Sequence, residues 1–344
     1  MSQTSLFIQA AKGKPVERVP IWLMRQAGRS MKVYRDLRQK YSMIEVMTTP
    51  ELASEVTMQP VKAYGVDAAI LFSDILVVPD ALGLGLEYHD SKGPLIARPI
   101  QTQADVDRLD LDLIPGRLNY VLEAIKLVKQ ELSDSQTPLI GFAGSPFTIA
   151  SYIVGEGKGH DLKQFMPIVF ANLRMIHHLL DIISKATIRY LNAQIKAGVD
   201  AVQIFDSWSN VLAWPYFKEL SLPYLKQVIA GLDNPRHIPV IVFGTSYGTF
   251  YPLLIDSGAD VISIDSHVDI ADVRKNVPER IALQGNLDPY FLLAPQSIIK
   301  EQATSILESM RGKGFIFNLG HGVLPAVPQE NVKFLVDLVK QFRY

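Results

Sequence analysis

Arg25 and Arg29, four positions apart, follow directly on the apolar run Ile21-Trp22-Leu23-Met24. Arginine grips carboxylates through charge-assisted hydrogen bonds, each worth roughly 1.5–3 kcal/mol net. At that spacing the two guanidinium groups share one face if the segment turns helical, and Gly28 lets a ligand approach the backbone. Arg25, Arg29, Lys32, Arg35, Arg38 and Lys40 stand against Asp36 alone over residues 25–40, in a chain with 34 basic and 35 acidic side chains. Lys32, Arg35 and Lys40 read as a solvated helix face. Arg25 and Arg29 abut a buried strand and read as an anion grip.

A recurring unit supplies the elements that position them: a short apolar run, a polar or Gly-containing turn, then an amphipathic stretch. Eight such runs occur, at 20–24, 68–72, 139–143, 201–205, 240–243, 261–264, 281–283 and 315–319. Helical patterns lie between them. One opens at Thr49-Pro50-Glu51, bends at Pro60 and closes at Gly65; others cover 118–132, 166–197, 214–231 and 296–312. "KAGVDAVQIFD" and "DSGADVISID" share one logic, a helix ended by Gly198 or Gly258 and a strand two to three residues on. Eight strands alternating with helices predict an α/β chain, a single (β/α)8 TIM-type barrel over residues 1–344 with an extended second βα connection at 75–117. A doubly wound sheet is the alternative, but no G-x-G-x-x-G follows the first strand.

In such a barrel the active site sits at the C-terminal ends of the strands. The groups expected there are Arg25 and Gln26, Ser73 and Asp74, Gly144 and Ser145, Asp206 to Trp208, Gly244 to Ser246, Asp265 to His267, Gln284 to Asn286, and Gly320 with His321. This set suits holding an anion better than hydrolysis. Asp265-Ser266-His267 lacks the further histidines that a barrel metal centre needs and reads as a hydrogen-bonded turn. Gly155-Glu156-Gly157-Lys158-Gly159-His160 lacks P-loop spacing and reads as a mobile lid. Asp206, Ser207 and His321 come without a G-x-S-x-G elbow, which argues against a hydrolase.

Composition narrows the classes. Hydrophobic residues make up 48% of the 344, enough for a large core of doubly buried strands. A net charge of −1 argues against nucleic acid as partner. Cysteine is absent, which removes disulfides, thiolate metal sites and a thiol nucleophile. No apolar run reaches the length of a membrane span, and the start holds only the short Leu6-Phe7-Ile8 cluster, so a cytoplasmic protein is expected.

"MRQAGR" at 24–29, "FSDIL" at 72–76, "GFAGSPFTIASY" at 141–152, "FDSW" at 205–208, "LQGNLDP" at 283–289 and "NLGHGVLP" at 318–325 together resemble the uroporphyrinogen decarboxylase family, in order and spacing. The resemblance implies a homodimer with facing active-site mouths, no cofactor or metal, and a small-molecule substrate, uroporphyrinogen, whose four acetate arms become methyl groups. It places Arg25, Arg29 and Arg38 at carboxylate-binding positions and Asp74 at the acceptor for the pyrrole N–H groups. Gln26, Ala27 and Gly28 share the arginine motif, and Tyr152, Ser207 and His321 match further substrate contacts. Phe72, Phe142 and Phe205 would wall the rings. Ser30, Lys32 and Ser266 depart from the family's common tyrosine, proline and tryptophan, which bears on wall shape.

Loss of CO2 leaves an electron pair, and a pyrrole protonated on the ring carbon beside the acetate-bearing position can accept it. That intermediate is cationic, so a fixed carboxylate at the pyrrole nitrogens stabilises it more than the neutral ground state; Asp74 is the residue so placed. Arg25, Tyr152 and His321 are the other candidates for catalysis, with the general acid left open between His321 and a water on Tyr152. A silent binder of anionic tetrapyrroles and a methyltransferase on the same scaffold are the alternatives; a binder could dispense with Asp74, and the methyltransferases use cysteine ligands absent here.

Overall fold

Runs of β-branched and aromatic residues without polar interruption make strands that can be buried on both faces. The computed structural model describes residues 5–89, 93–155, 162–245, 247–312 and 314–343. Among these, nine strands form: β1 (Ala69–Ile70), β2 (Leu86–His89), β3 (Gly93–Ile96), β4 (Leu139–Gly144), β5 (Ala201–Asp206), β6 (Val240–Gly244), β7 (Val261–Ser263), β8 (Ala282–Leu287) and β9 (Phe315–Leu319). Seven of them pair in parallel in the order β1-β4-β5-β6-β7-β8-β9, and β2 and β3 form a separate antiparallel hairpin. Helices fill the connections, as right-handed crossovers between parallel strands require.

The first apolar run does not become a ladder strand, although it closes the barrel. It makes one isolated parallel bridge, Ile21 to Phe317. Phe317 N donates to Pro20 O at 2.9 Å on one side, and Asp67 N donates to Ile21 O at 2.7 Å on the other. Trp22 N donates to Phe317 O at 3.4 Å, and side-chain oxygens take the run's other N–H groups: Ile21 N donates to Asp67, Leu23 N to Gln26 and Met24 N to Asn318. With its donors captured, the segment joins both edges of the sheet without a regular register. The bidentate Arg18–Asp67 pair, 2.6 and 2.7 Å, pins it from outside.

The barrel interior is layered. Phe7, Ala10 and Ala11 of helix Leu6–Ala11 plug the N-terminal end against Ile140, Ala201, Ile241, Val261, Ala282 and Ile316. Above lies a buried polar layer in which Trp22 Nε1 donates to Gln284 Oε1 at 2.9 Å, and Gln284 Nε2 donates to Gln203 Oε1 and Ser263 Oγ. At the C-terminal end come the rings of Phe142, Phe205 and Phe243, edge to face at 5.5 and 5.8 Å.

The long second connection is present and carries the β2–β3 hairpin. Helix Pro50–Tyr64 runs unbroken through Pro60 and ends on Gly65 at φ 68°. The helical stretch expected at 166–197 is two helices, Leu162–Ala171 and Leu173–Ala197, meeting at 111°. Asn172 makes the break: its Oδ1 accepts from Met175 N and caps the second helix. No single helix among the described residues is long and apolar enough to cross a membrane.

Candidate active site

Arg25 is the first residue beyond the closing segment, and its backbone is left-handed at φ 57°. A side chain in that region costs roughly 1–2 kcal/mol, so surrounding contacts must hold it there. Gln26 is the clamp: it is buried, its Oε1 accepts from Leu23 N at 3.0 Å and its Nε2 donates to Ala68 O at 3.1 Å. Gly322 supplies the space, since a Cβ there would lie 2.4 Å from Arg25 Cδ. Residues 25–31 are turns and helix Lys32–Arg38 begins only afterwards, so Arg25 and Arg29 do not share a helix face. The left-handed residue is what interrupts the helical path.

Asp74, just beyond β1, has both carboxylate oxygens engaged. Leu76 N donates to Oδ1 at 2.8 Å and Tyr88 Oη donates to Oδ2 at 2.5 Å. Tyr88 comes from the hairpin of the long connection. Burial, then the charge and hydrogen bond of Asp74, raise its phenol pKa far above the ordinary tyrosine value, so it remains a donor.

Tyr152 and Trp208 pair edge to face, and Trp208 Nε1 donates to Tyr152 Oη at 3.0 Å. Burial raises the Tyr152 pKa; Asp74 adds to the rise, while Trp208 and Arg25 oppose it. His321 follows β9 and meets the Phe243 ring edge on at 6.3 Å. Burial and the positive charge of Arg25 lower its pKa below the ordinary histidine value. The imidazole is therefore neutral at neutral pH, able to offer an N–H to an anion but not to serve as a charged acid.

Behind these groups sits Asp206, fully buried. It accepts from Thr148 Oγ1 at 3.1 Å, Ser221 Oγ at 2.8 Å and Tyr247 Oη at 3.3 Å, as well as from Ser145 Oγ. Thr148 Oγ1 in turn accepts from Trp208 N, and Thr245 Oγ1 donates to Ser207 O, which fixes the turn after β5. Asp206 is thus a structural anchor with no route to substrate.

A cavity of about 540 Å³ opens at this end of the barrel. Of the residues anticipated from sequence, Arg25, Gln26, Ala27, Phe72, Asp74, Phe142, Tyr152, Phe205, Ser207 and His321 line it. Gly28, Arg29 and Arg38 do not. Arg29 and Arg38 lie outside it, near Tyr34, whose phenol pKa is raised by burial and pulled back by both guanidinium groups. The Tyr34 ring packs on Phe72 at 5.7 Å, which puts this basic group behind the cavity wall. Ser73, Trp208 and Thr245, expected at the strand ends, line it as well, while Phe243, Asn210 and Pro94 line it without having been expected there. Phe243 repeats the strand-end phenylalanines and so carried a signal; Tyr88 and Pro94 carried none. Asp265 accepts from His267 N and Nδ1 and from Gly248 N, a hydrogen-bonded turn as expected. No cluster among the described residues has the ligands for a metal ion. The segment 156–161 and Ser246 lie outside the described residues.

The sequence model described as "Uroporphyrinogen decarboxylase (URO-D)" matches residues 2–342. A uroporphyrinogen decarboxylase from Chloroherpeton thalassium is 43% identical, covering 99% of this chain and 98% of the relative. One from Citrifermentans bemidjiense is 45% identical, covering 97% of each. Among solved structures, a methyltransferase from Methanosarcina mazei superposes with a TM-score of 0.83 over 99% of both chains at 24% identity, a likeness of fold alone. Matched almost end to end by the family and by relatives at this identity, the chain belongs to the uroporphyrinogen decarboxylase family.

Proposed function

We propose that this chain, a carboxy-lyase of tetrapyrrole biosynthesis, converts uroporphyrinogen III to coproporphyrinogen III by removing CO2 from four acetate arms, with Asp74 stabilising the cationic intermediate. The observation that supports this role is a carboxylate fixed at both oxygens, facing a cavity floored by Phe142, Phe205 and Phe243 and rimmed by Arg25. Each oxygen retains a lone pair for a pyrrole N–H. Protonation of a ring carbon makes the pyrrole cationic, the bond to the carboxylate breaks, its electron pair enters the ring, and a second proton converts the exocyclic carbon to methyl while the first is released. The net change is one proton taken up per CO2 lost. Asp74 interacts more strongly with the cation than with the neutral pyrrole, which is the differential that raises the rate.

Arg25 binds a substrate carboxylate across the mouth, and Tyr152, Ser207 and neutral His321 donate to others. Gln26 and Ala27 shape the turn that aims Arg25; Gly28, Arg29 and Arg38 belong to the outer approach, where the two arginines attract the arms before docking. Because His321 is neutral, it is assigned to hydrogen bonding rather than to delivery of the ring-carbon proton. Phe72, Phe142 and Phe205 pack on the pyrroles. A single barrel domain, assembly as a cytoplasmic homodimer and independence from metal complete the proposal. The test is anaerobic incubation of purified protein with uroporphyrinogen III and a chelator, counting product carboxylates by chromatography after oxidation. Stepwise loss from eight to four is expected; an unchanged octacarboxylate with folded protein would overturn the assignment. Sedimentation analysis tests the dimer.

A further inference from the structure

We propose that Tyr88 is a positioning residue for this decarboxylation, holding the Asp74 carboxylate in the orientation from which it stabilises the cation; the inference rests on the decarboxylase reading above. A carboxylate tethered at one oxygen can pivot about its Cβ–Cγ bond. Asp74 is tethered at both, by Leu76 N at 2.8 Å on Oδ1 and by Tyr88 Oη at 2.5 Å on Oδ2. The second bond lies in the range of short, charge-assisted O–H···O⁻ contacts, about twice as strong as neutral ones. It fixes the carboxylate plane and leaves one lone pair per oxygen for substrate. Preorganisation of this kind is what makes an electrostatic group effective, because no reorganisation is needed as charge develops.

The platform supports the same reading. Tyr88 pairs in register with Pro94, and Pro94 lines the cavity, so the hairpin is one of its walls. Leu86 and Ile96 bury the hairpin's inner face in the main core. Its root is tied down by Leu86 N donating to Asp80 Oδ1 at 2.9 Å and Ala97 N donating to Gly85 O at 2.9 Å. The hydroxyl is thus delivered by a packed element rather than a loose loop. Tyr88 itself is not among the residues lining the cavity, so its effect on the reaction passes through Asp74.

The experiment compares Tyr88→Phe with wild type, and Asp74→Asn with the double variant, by steady-state decarboxylation of uroporphyrinogen and by thermal melting. Tyr88→Phe is expected to lower kcat about tenfold with KM within about twofold, the pattern of an interaction made only in the transition state. In the Asp74→Asn background the same change is expected to alter kcat less than about twofold, since coupled groups are not additive. An unaffected kcat in Tyr88→Phe, or an equal loss in both backgrounds, would overturn the proposal. If Tyr88→Phe melts early, 3,5-difluorotyrosine at position 88 keeps the shape and makes the phenol more acidic. It keeps the donor and so the orientation of Asp74, and kcat is expected to stay within about twofold of wild type; a loss of about tenfold with the fold intact overturns the proposal. A wild-type chain that leaves uroporphyrinogen untouched overturns the decarboxylase reading and Tyr88 with it, whereas an active wild type with an unaffected variant overturns Tyr88 alone.

Discussion

Asp74 and His321 both face the cavity, and their surroundings fit them for opposite tasks. The Asp74 carboxylate is held by one backbone and one phenolic donor, so Asp74→Asn keeps the shape while removing the charge. The expected outcome is a fall in kcat of about 10²–10³ or more, with KM changed far less, measured by product chromatography under saturating substrate. His321 is pushed the other way, its pKa lowered by burial and then by Arg25. A histidine whose folded pKa is depressed binds fewer protons than the unfolded chain once pH drops below about 6.5. Its contribution is therefore neutral above that value and destabilising as pH falls through the window between the unfolded and folded pKa. His321→Gln should narrow the gap in urea midpoint between pH 7.5 and 5.5 relative to wild type; an identical gap in both proteins would show that the ring is not shielded as described. At this scale the sequence was a good guide to residue type and a poor guide to state. It left the acid open between His321 and a water on Tyr152, and only the burial of the ring against Phe243 and the approach of Arg25 show why it stays neutral.

The closing segment and the turn after β9 act as one device. Arg25 sits in left-handed backbone, and its aliphatic stem lies directly over Gly322. Gly322→Ala would place a methyl group 2.4 Å from Cδ and 2.7 Å from Cγ, and these atoms are too close to the backbone to yield by a terminal rotation. The guanidinium must then leave its place at the mouth. KM for uroporphyrinogen is expected to rise about tenfold or more in this variant, approaching that of Arg25→Ala, while the protein still folds; an unaltered KM would mean that Arg25 does not hold a substrate carboxylate. The sequence showed the glycine but not its partner, nearly three hundred residues away. Elements differ in legibility for the same reason. β4, β6 and β9 are buried at every residue and read as apolar runs, so their ends were visible, whereas β8 continues to Leu287 through Gln284 and Asn286, past the end expected at 283. The run at 20–24 reads the same way, yet Asp67, Gln26 and Asn318 take its donors through side chains that no periodicity announces. Tyr88 was invisible because its register depends on a hairpin folding back to Asp74.

For the whole molecule the decisive contrast is between a net charge of −1 and a basic approach to the cavity. Not every cation of residues 25–40 contributes equally. Lys32 pairs with Asp36 at 2.6 Å, whereas Arg35 and Arg38 donate to neutral carbonyl oxygens, of Arg29 and Ser30 and of Tyr41, and keep their charge. Arg25, Arg29, Arg35 and Arg38 make no ion pair among the described residues. If this basic stretch steers a polyanionic substrate, as proposed, it does so over a distance set by the Debye length. That length shrinks from about 30 Å at 0.01 M to about 8 Å at 0.15 M salt. Because steering acts on encounter and not on the bound complex, kcat/KM should fall several-fold over this interval while kcat stays level. Arg29→Gln, which lies outside the cavity lining, should flatten the salt dependence of kcat/KM without lowering kcat. If instead kcat/KM is insensitive to salt, the outer arginines form a solvated face like Lys32, and capture rests on Arg25 and the cavity itself.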